Sequence, residues 1–227
     1  MKIKFGSFIV DGRGKIGGHV ASKNRGGAYL RTKVSPINPQ TTRQAAVRSQ
    51  LTGYAQGFRS LTASAIAAWN SAVANFTKTD IFGDIKQPSG INLYIKLNMN
   101  LEQVGGTPLT TPPLPGDVPA VDSVSLVADS SPQTFTITFG PSPVPANTAF
   151  IIEATPGVSA GKSFVKSEYR QIGYLAAAAT SPSASISDYT TVFGSLVAGQ
   201  KVFVRLTPVN TATGQRGLAL AAETIVL

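Results

Sequence analysis

A proline-rich run divides this chain into two textures. Thr107 to Pro119 reads TPLTTPPLPGDVP, with prolines at 108, 112, 113, 115 and 119. Proline locks φ and removes an amide donor, so neither a helix interior nor a central strand can pass through such a run. Before it, apolar residues recur every three or four positions; after it, they alternate. The pattern predicts an α+β multidomain chain in which a semi-rigid linker over 105–119 joins a helical unit to a β unit. With 227 residues the chain has length for two modest cores.

The helical unit is expected over 35–104. Val47, Leu51, Tyr54 and Phe58 mark one face of a first helix, and Ile66, Trp69, Val73 and Phe76 one face of a second. Asn38-Pro39 biases the entering chain toward extended geometry, and Thr41 or Thr42 can cap the first helix. Ser60-Leu61-Thr62 interrupts the first pattern, and Thr62 can cap the second helix. The short connector predicts an antiparallel hairpin with Tyr54, Phe58, Trp69 and Phe76 between its helices. Ser89 opens a third helix carrying Leu93, Leu97, Leu101 and Val104 on one face, with Ile91, Tyr94 and Ile95 beside them, and Gly105-Gly106 ends it. Three helices make a small bundle.

Over 120–227 the period is two. Phe135, Ile137 and Phe139 alternate with threonines, and Val202, Val204 and Leu206 with Phe203, Arg205 and Thr207; Leu218, Leu220 and Ala222 start a last strand. Turn signals separate these runs. About seven strands predict an immunoglobulin- or fibronectin III-like sandwich, without the cysteine pair and core Trp of antibody domains, since the chain has no Cys and its one Trp is Trp69.

Charge is segregated. Through Ser60 eleven Lys and Arg face Asp11 alone, a net of +10; the remainder carries nine basic against ten acidic residues, a net of −1. The basic head calls for an acidic partner. Lys2 to Val10 alternates loosely, as a strand would. Gly12 to Val34 holds six glycines and no apolar periodicity, so 1–34 reads as a basic Gly-rich arm whose short segments His19–Ala21 and Ala28–Thr32 pair as strands once a template is present. The residues expected to bind the partner are Arg13, Lys15, Lys23, Arg25, Tyr29, Arg31 and Lys33 in the arm, with Arg43 and Arg48 at the start of the first helix.

Two glycine motifs resemble nucleotide-binding signatures and lack their context. Gly12-Arg13-Gly14-Lys15-Ile16-Gly17 matches a dinucleotide fingerprint, but neither a helical pattern nor an acidic residue near Leu30 to Lys33 comes after it. Gly157 to Ser163 has three residues between its glycines where a phosphate loop needs four, and Phe164 to Tyr169 alternates like a strand. His19 lies in the arm without a nucleophile placed beside it. Asp11, Asp80 and Asp84 read as solvated loop carboxylates, and Trp69 and Tyr54 as core rather than base-stacking residues. No enzyme, metal, cofactor or small-molecule substrate is expected. No apolar run approaches the roughly 20 residues of a membrane helix, and the first ten residues are too short an apolar stretch for a signal peptide, so a soluble, non-secreted protein is expected.

The ordered motifs Gly17-Gly18-His19-Val20, Arg25-Gly26-Gly27-Ala28-Tyr29-Leu30-Arg31, Asn38-Pro39-Gln40-Thr41, Gln44, Arg48, Phe58-Arg59-Ser60-Leu61-Thr62 and Ala67-Ala68-Trp69-Asn70 resemble those of structural proteins of tailed bacteriophages. The chain is most similar to auxiliary capsid proteins of crAss-like phages of Bacteroidetes bacteria. That resemblance implies a non-enzymatic virion subunit, made in the host cytoplasm, bound to the major capsid protein and displaying an immunoglobulin-like domain outward. A nucleic-acid-binding virion protein using the basic head, and a tail- or fibre-associated adhesin, are the alternatives.

Overall fold

The computed structural model describes residues 1–4, 12–24 and 26–227. The strand expected over Lys2 to Val10 lies mostly outside those residues, and Arg25 lies outside them. The chain is α+β. Its elements run β1 (Gly14–Ile16), β2 (His19–Asn24), β3 (Gly27–Thr32), α1 (Thr42–Arg59), α2 (Ala63–Ala72), β4 (Lys78–Thr79), β5 (Ile85–Lys86) and α3 (Gly90–Glu102). Next come β6 (Ser123–Ser130), β7 (Gln133–Gly140), β8 (Thr148–Ala154), β9 (Arg170–Leu175), β10 (Ser183–Ala184), α4 (Ile186–Phe193), β11 (Lys201–Asn210) and β12 (Leu220–Ile225).

The arm is a three-stranded antiparallel meander in the order β1-β2-β3. Gly17, at φ 54°, supplies the left-handed residue that a two-residue hairpin between Ile16 and His19 requires. The template is the chain's own beginning: Ile3 N–H donates to Ala28 O, and Leu30 N–H to Met1 O (3.0 and 2.7 Å). Lys2 and Lys4 then reach Asp80 and Asp84 in the loop between β4 and β5, each at 3.3 Å.

The helices begin where the caps were expected. Thr41, Thr62 and Ser89 each accept a bond from the amide three residues on. Their packing differs from the expected hairpin. Tyr94 of α3 is the hub, with ring centroids 5.4 Å from Phe58, 5.2 Å from Trp69 and 6.3 Å from Tyr54. The aromatic residues of α1 and α2 therefore meet on α3 rather than on each other. Only the C-terminal half of α1 is covered: Phe58 is 7% exposed, while Val47 and Leu51 are 51% and 47% exposed.

Seven strands of the β unit form two antiparallel sheets, β10-β7-β6 and β12-β11-β8-β9. Phe135, Ile137, Phe139, Phe150, Ile152, Val202, Val204 and Leu206 fill the space between them. Burying such side chains contributes about 1.5–3 kcal/mol each. One expectation is corrected here, and one element is new. Phe164 to Tyr169 is loop and turn, with Phe164 75% exposed and Lys162 ion-paired to Glu168 across the segment. Ile186–Phe193 is a helix that periodicity did not signal; Tyr189 anchors it by stacking on Phe135 at 4.7 Å.

The proline-rich segment does not space the two units apart. It straps across the helices. Trp69 Nε1 donates to Thr110 O (2.9 Å), and Asn98, fully buried, exchanges two bonds with the Leu109 backbone (2.6 and 3.2 Å). Further on, Gly116 N–H donates to Gln215 Oε1 and Asn210 Nδ2 to Asp117 O. The residues just past α3 lie on the outer face of the β8 sheet, where Val104 packs with Ala149, Ile151 and Val209. β8 is thus buried on both faces, which accounts for its unbroken apolar run Ala149 to Ile152.

Candidate functional site

The residues expected to bind a partner fall into two groups on different elements. In the meander, Lys15, Val20 and Arg31 are cross-strand partners, and Ser22 pairs with Tyr29 two positions along. Alternation puts Lys15, Arg31 and Tyr29 on one sheet face and Lys23 on the other. Arg13 precedes β1, and Lys33 comes directly after β3 with its amide on Gly18 O (2.8 Å); both are exposed. His19 is an exposed strand residue, as its sequence context suggested. β1 is the outer strand of this sheet among the described residues, and no described strand pairs with its outer edge.

The second group lies where α1 passes β9. Arg43 Nη2 donates to Gln171 O (3.1 Å), Arg48 Nη2 to Asn38 Oδ1 (3.0 Å), and Arg170 Nη1 to the carbonyls of Ser167 and Tyr169. These acceptors are neutral. None of the three guanidiniums meets a carboxylate among the described residues. Between them runs the uncovered apolar stripe of Val47 and Leu51, and two open depressions of about 730 and 560 Å³ adjoin it. Burial, then the neighbouring Glu102 carboxylate, push the Tyr54 phenol up to about 12, so it stays protonated. Arg170 was not foreseen. It stands 127 positions from Arg43, and nothing in local spacing joins a β9 residue to a helix that far away.

The joint holding the meander is electrostatic. Asp80 is the centre of it, its side chain only 5% exposed, accepting the amides of Phe82 (2.8 Å) and Asp84 (3.1 Å) and the Lys2 ammonium (3.3 Å). Burial alone would raise its carboxyl, but the Phe82 amide, Lys2 and the Asp84 amide outweigh it and hold the group below the ordinary carboxylate value. A depressed folded value means stabilisation that is full above the unfolded pKa of about 3.9 and is lost as pH falls through the folded one. On acidification the Leu30 amide resonance should therefore move toward its undocked position only below about pH 4, and Asp80→Asn should remove that transition. A pH-independent Leu30 signal in the unsubstituted protein would refute this role for Asp80.

The carboxylates do not gather elsewhere. Among the described residues no cluster of three or more His, Asp or Glu could hold a metal ion, and no helix is long and apolar enough to cross a membrane.

No family model matches this chain, and neither does any curated protein. Two solved structures are similar over about half of the chain. A Fn3-like protein from Clostridium thermocellum is 18% identical, with a TM-score of 0.30, over 49% of this chain and 96% of that one. A beta-1,2-glucanase from Parabacteroides distasonis is 14% identical, with a TM-score of 0.28, over 50% of this chain and 14% of that one.

Proposed function

We propose that this chain is a non-enzymatic structural subunit of a bacteriophage virion, an auxiliary capsid protein. It grips the major capsid protein through its meander and α1 and turns an immunoglobulin- or fibronectin III-like sandwich outward. The observation that carries this reading is the basic and apolar surface on these elements: Lys15 and Arg31, both exposed, with half-buried Tyr29 on one sheet face, and exposed Val47 and Leu51 of α1 among Arg43, Arg48 and the β9 residue Arg170. Exposed apolar residues in series, rimmed by cations that meet no carboxylate among the described residues, suit a protein surface of opposite charge. The outer edge of β1, which no described strand pairs, suits an added strand from that surface. The motif resemblance supplies the virion context. Nucleic acid is the second reading, favoured by the row of Lys15 and Arg31 and by the net charge.

One experiment separates them. Lys15, Arg31, Lys33 and Arg48 are all exposed, so replacing them together with Gln should change stability by no more than about 0.5 kcal/mol per site. The unsubstituted protein should cosediment with emptied shells at moderate salt and ignore free DNA, and the variant should lose roughly tenfold or more of its shell affinity. DNA binding that falls steeply with salt, with no attachment to emptied shells, would remove the capsid reading in favour of counterion release at phosphates.

A further inference from the structure

The helical unit carries a basic cavity that neither the meander face nor α1 uses. It encloses about 300 Å³ between the short β4–β5 ladder and α3, and Phe76, Lys78, Lys86, Pro88, Leu93 and Lys96 line it. Its charges come from three places. Lys78 and Lys86 are directly paired across the ladder, an arrangement of like charges that is unfavourable by itself. Lys96 stands on α3 three residues after Leu93, so both reach the same side of the helix.

Only one of the three lysines is answered. Lys86 lies 4.0 Å from Asp80 and 3.7 Å from Asp84, carboxylates that Lys2 and Lys4 already engage. Among the described residues no carboxylate meets Lys78 or Lys96. Three lysines thus share two aspartates, and two more stand beside them with no described carboxylate in reach. Desolvation, then the charge of Lys78 and more weakly that of Arg216, hold the Lys96 ammonium below its ordinary value. The cations are carried by a strand and a helix that converge on one cavity, so an entering anion would relieve their repulsion.

The walls say what kind of anion. Phe76, Pro88 and Leu93 present an apolar surface, so the group that fits carries its charge on an apolar body and is no larger than a side chain. A nucleic acid strand instead needs a track of cations at its phosphate repeat and stacking platforms beside it. We infer that this cavity binds one carboxylate carried on an apolar body, as an acidic segment of a partner protein supplies it, either from a Glu flanked by apolar residues or from a C-terminus. This does not rest on the capsid reading, and its test uses no shell.

The protein labelled with 13C at lysine Cε is titrated with N-acetyl-leucinate, with N-acetyl-leucinamide, with the blocked tripeptide Leu-Glu-Leu, with its Leu-Gln-Leu counterpart and with inorganic phosphate. Lys78→Met and Lys96→Met assign the signals. Saturable shifts of the Lys78 and Lys96 signals are expected with the two acids and not with their amides, together with a rise in the Lys96 titration midpoint. The better-binding acid tells a C-terminus from a side chain. The double variant, its fold checked by circular dichroism, should weaken the response at Lys86 at least about tenfold, the size of a single lost charge-assisted bond. Equal responses to acids and amides, shifts no larger than those at Lys15 and Lys33, or saturation by phosphate alone would each overturn the inference.

Discussion

Trp69→Ala is expected to lower the free energy of unfolding by about 3–5 kcal/mol, the range for deleting a core aromatic. Trp69 has no exposed surface, stands edge-on to Tyr94 and donates its indole N–H to Thr110 O. The substitution opens a cavity at the centre of the aromatic hub and unlatches the strap together. A proline linker that merely spaced two units would confine the damage to the helices. The strap, and the seat of Val104 on the β8 sheet, predict that it spreads. Circular dichroism of the helices and methyl signals of Val204, deep in the sandwich, should both shift to lower denaturant, the helices by more. A thermally silent variant would make Trp69 an interface residue instead, and an unmoved Val204 signal would restore the linker as a true boundary.

The second large effect is expected from a single methyl group. Gly214 lies in the turn after β11 at φ 71°, and a Cβ there would sit 2.4 Å from the carbonyl oxygen of Leu97 in α3. The Asn100 amide donates to Gly214 O at 2.8 Å and fixes that approach. Neither partner can yield, because one is helix backbone and the other is a closed turn. Gly214→Ala should cost about 2–4 kcal/mol, combining left-handed strain with overpacking. Gly199 supplies the control: its φ is 78° and a Cβ would meet open space, so Gly199→Ala should cost only the strain of about 1–2 kcal/mol. The difference between the two variants measures the closeness of α3 to the sandwich. Equal effects would mean that helix and turn stand apart in solution.

Local chemistry was legible in this sequence wherever one residue decides a local outcome. Thr41, Thr62 and Ser89 cap helices because a hydroxyl reaches an amide three positions on, whatever the tertiary context. The alternation of Phe135, Ile137 and Phe139 read correctly because one sheet face looks into the core. Periodicity failed where it could not say what lies opposite. Val47 and Leu51 continue the stripe of Tyr54 and Phe58, but α3 covers only the latter pair. Tyr94 looked like a flanking residue and is the hub, because three elements converge on it. The second face of β8 depends on residues just after α3, more than forty positions earlier, and its run of four apolar residues was the available sign. The candidate site divides the same way: its arm and α1 cations could be named from charge, whereas Arg170 and the lysine cavity exist only once distant elements meet.

The strapped segment also governs how far the sandwich can travel. Fully extended, residues 105–119 could span about 50 Å, enough for a tethered module to sweep a broad hemisphere. Fastened at Leu109, Thr110, Gly116 and Asp117, they are held far short of that reach. The sandwich is thereby held against the helical unit instead of being tethered to it. Copies seated on a regular array would hold their sandwiches at a fixed lattice spacing, so a ligand that touches two of them at once would have to match that spacing, and no linker would stretch to help it.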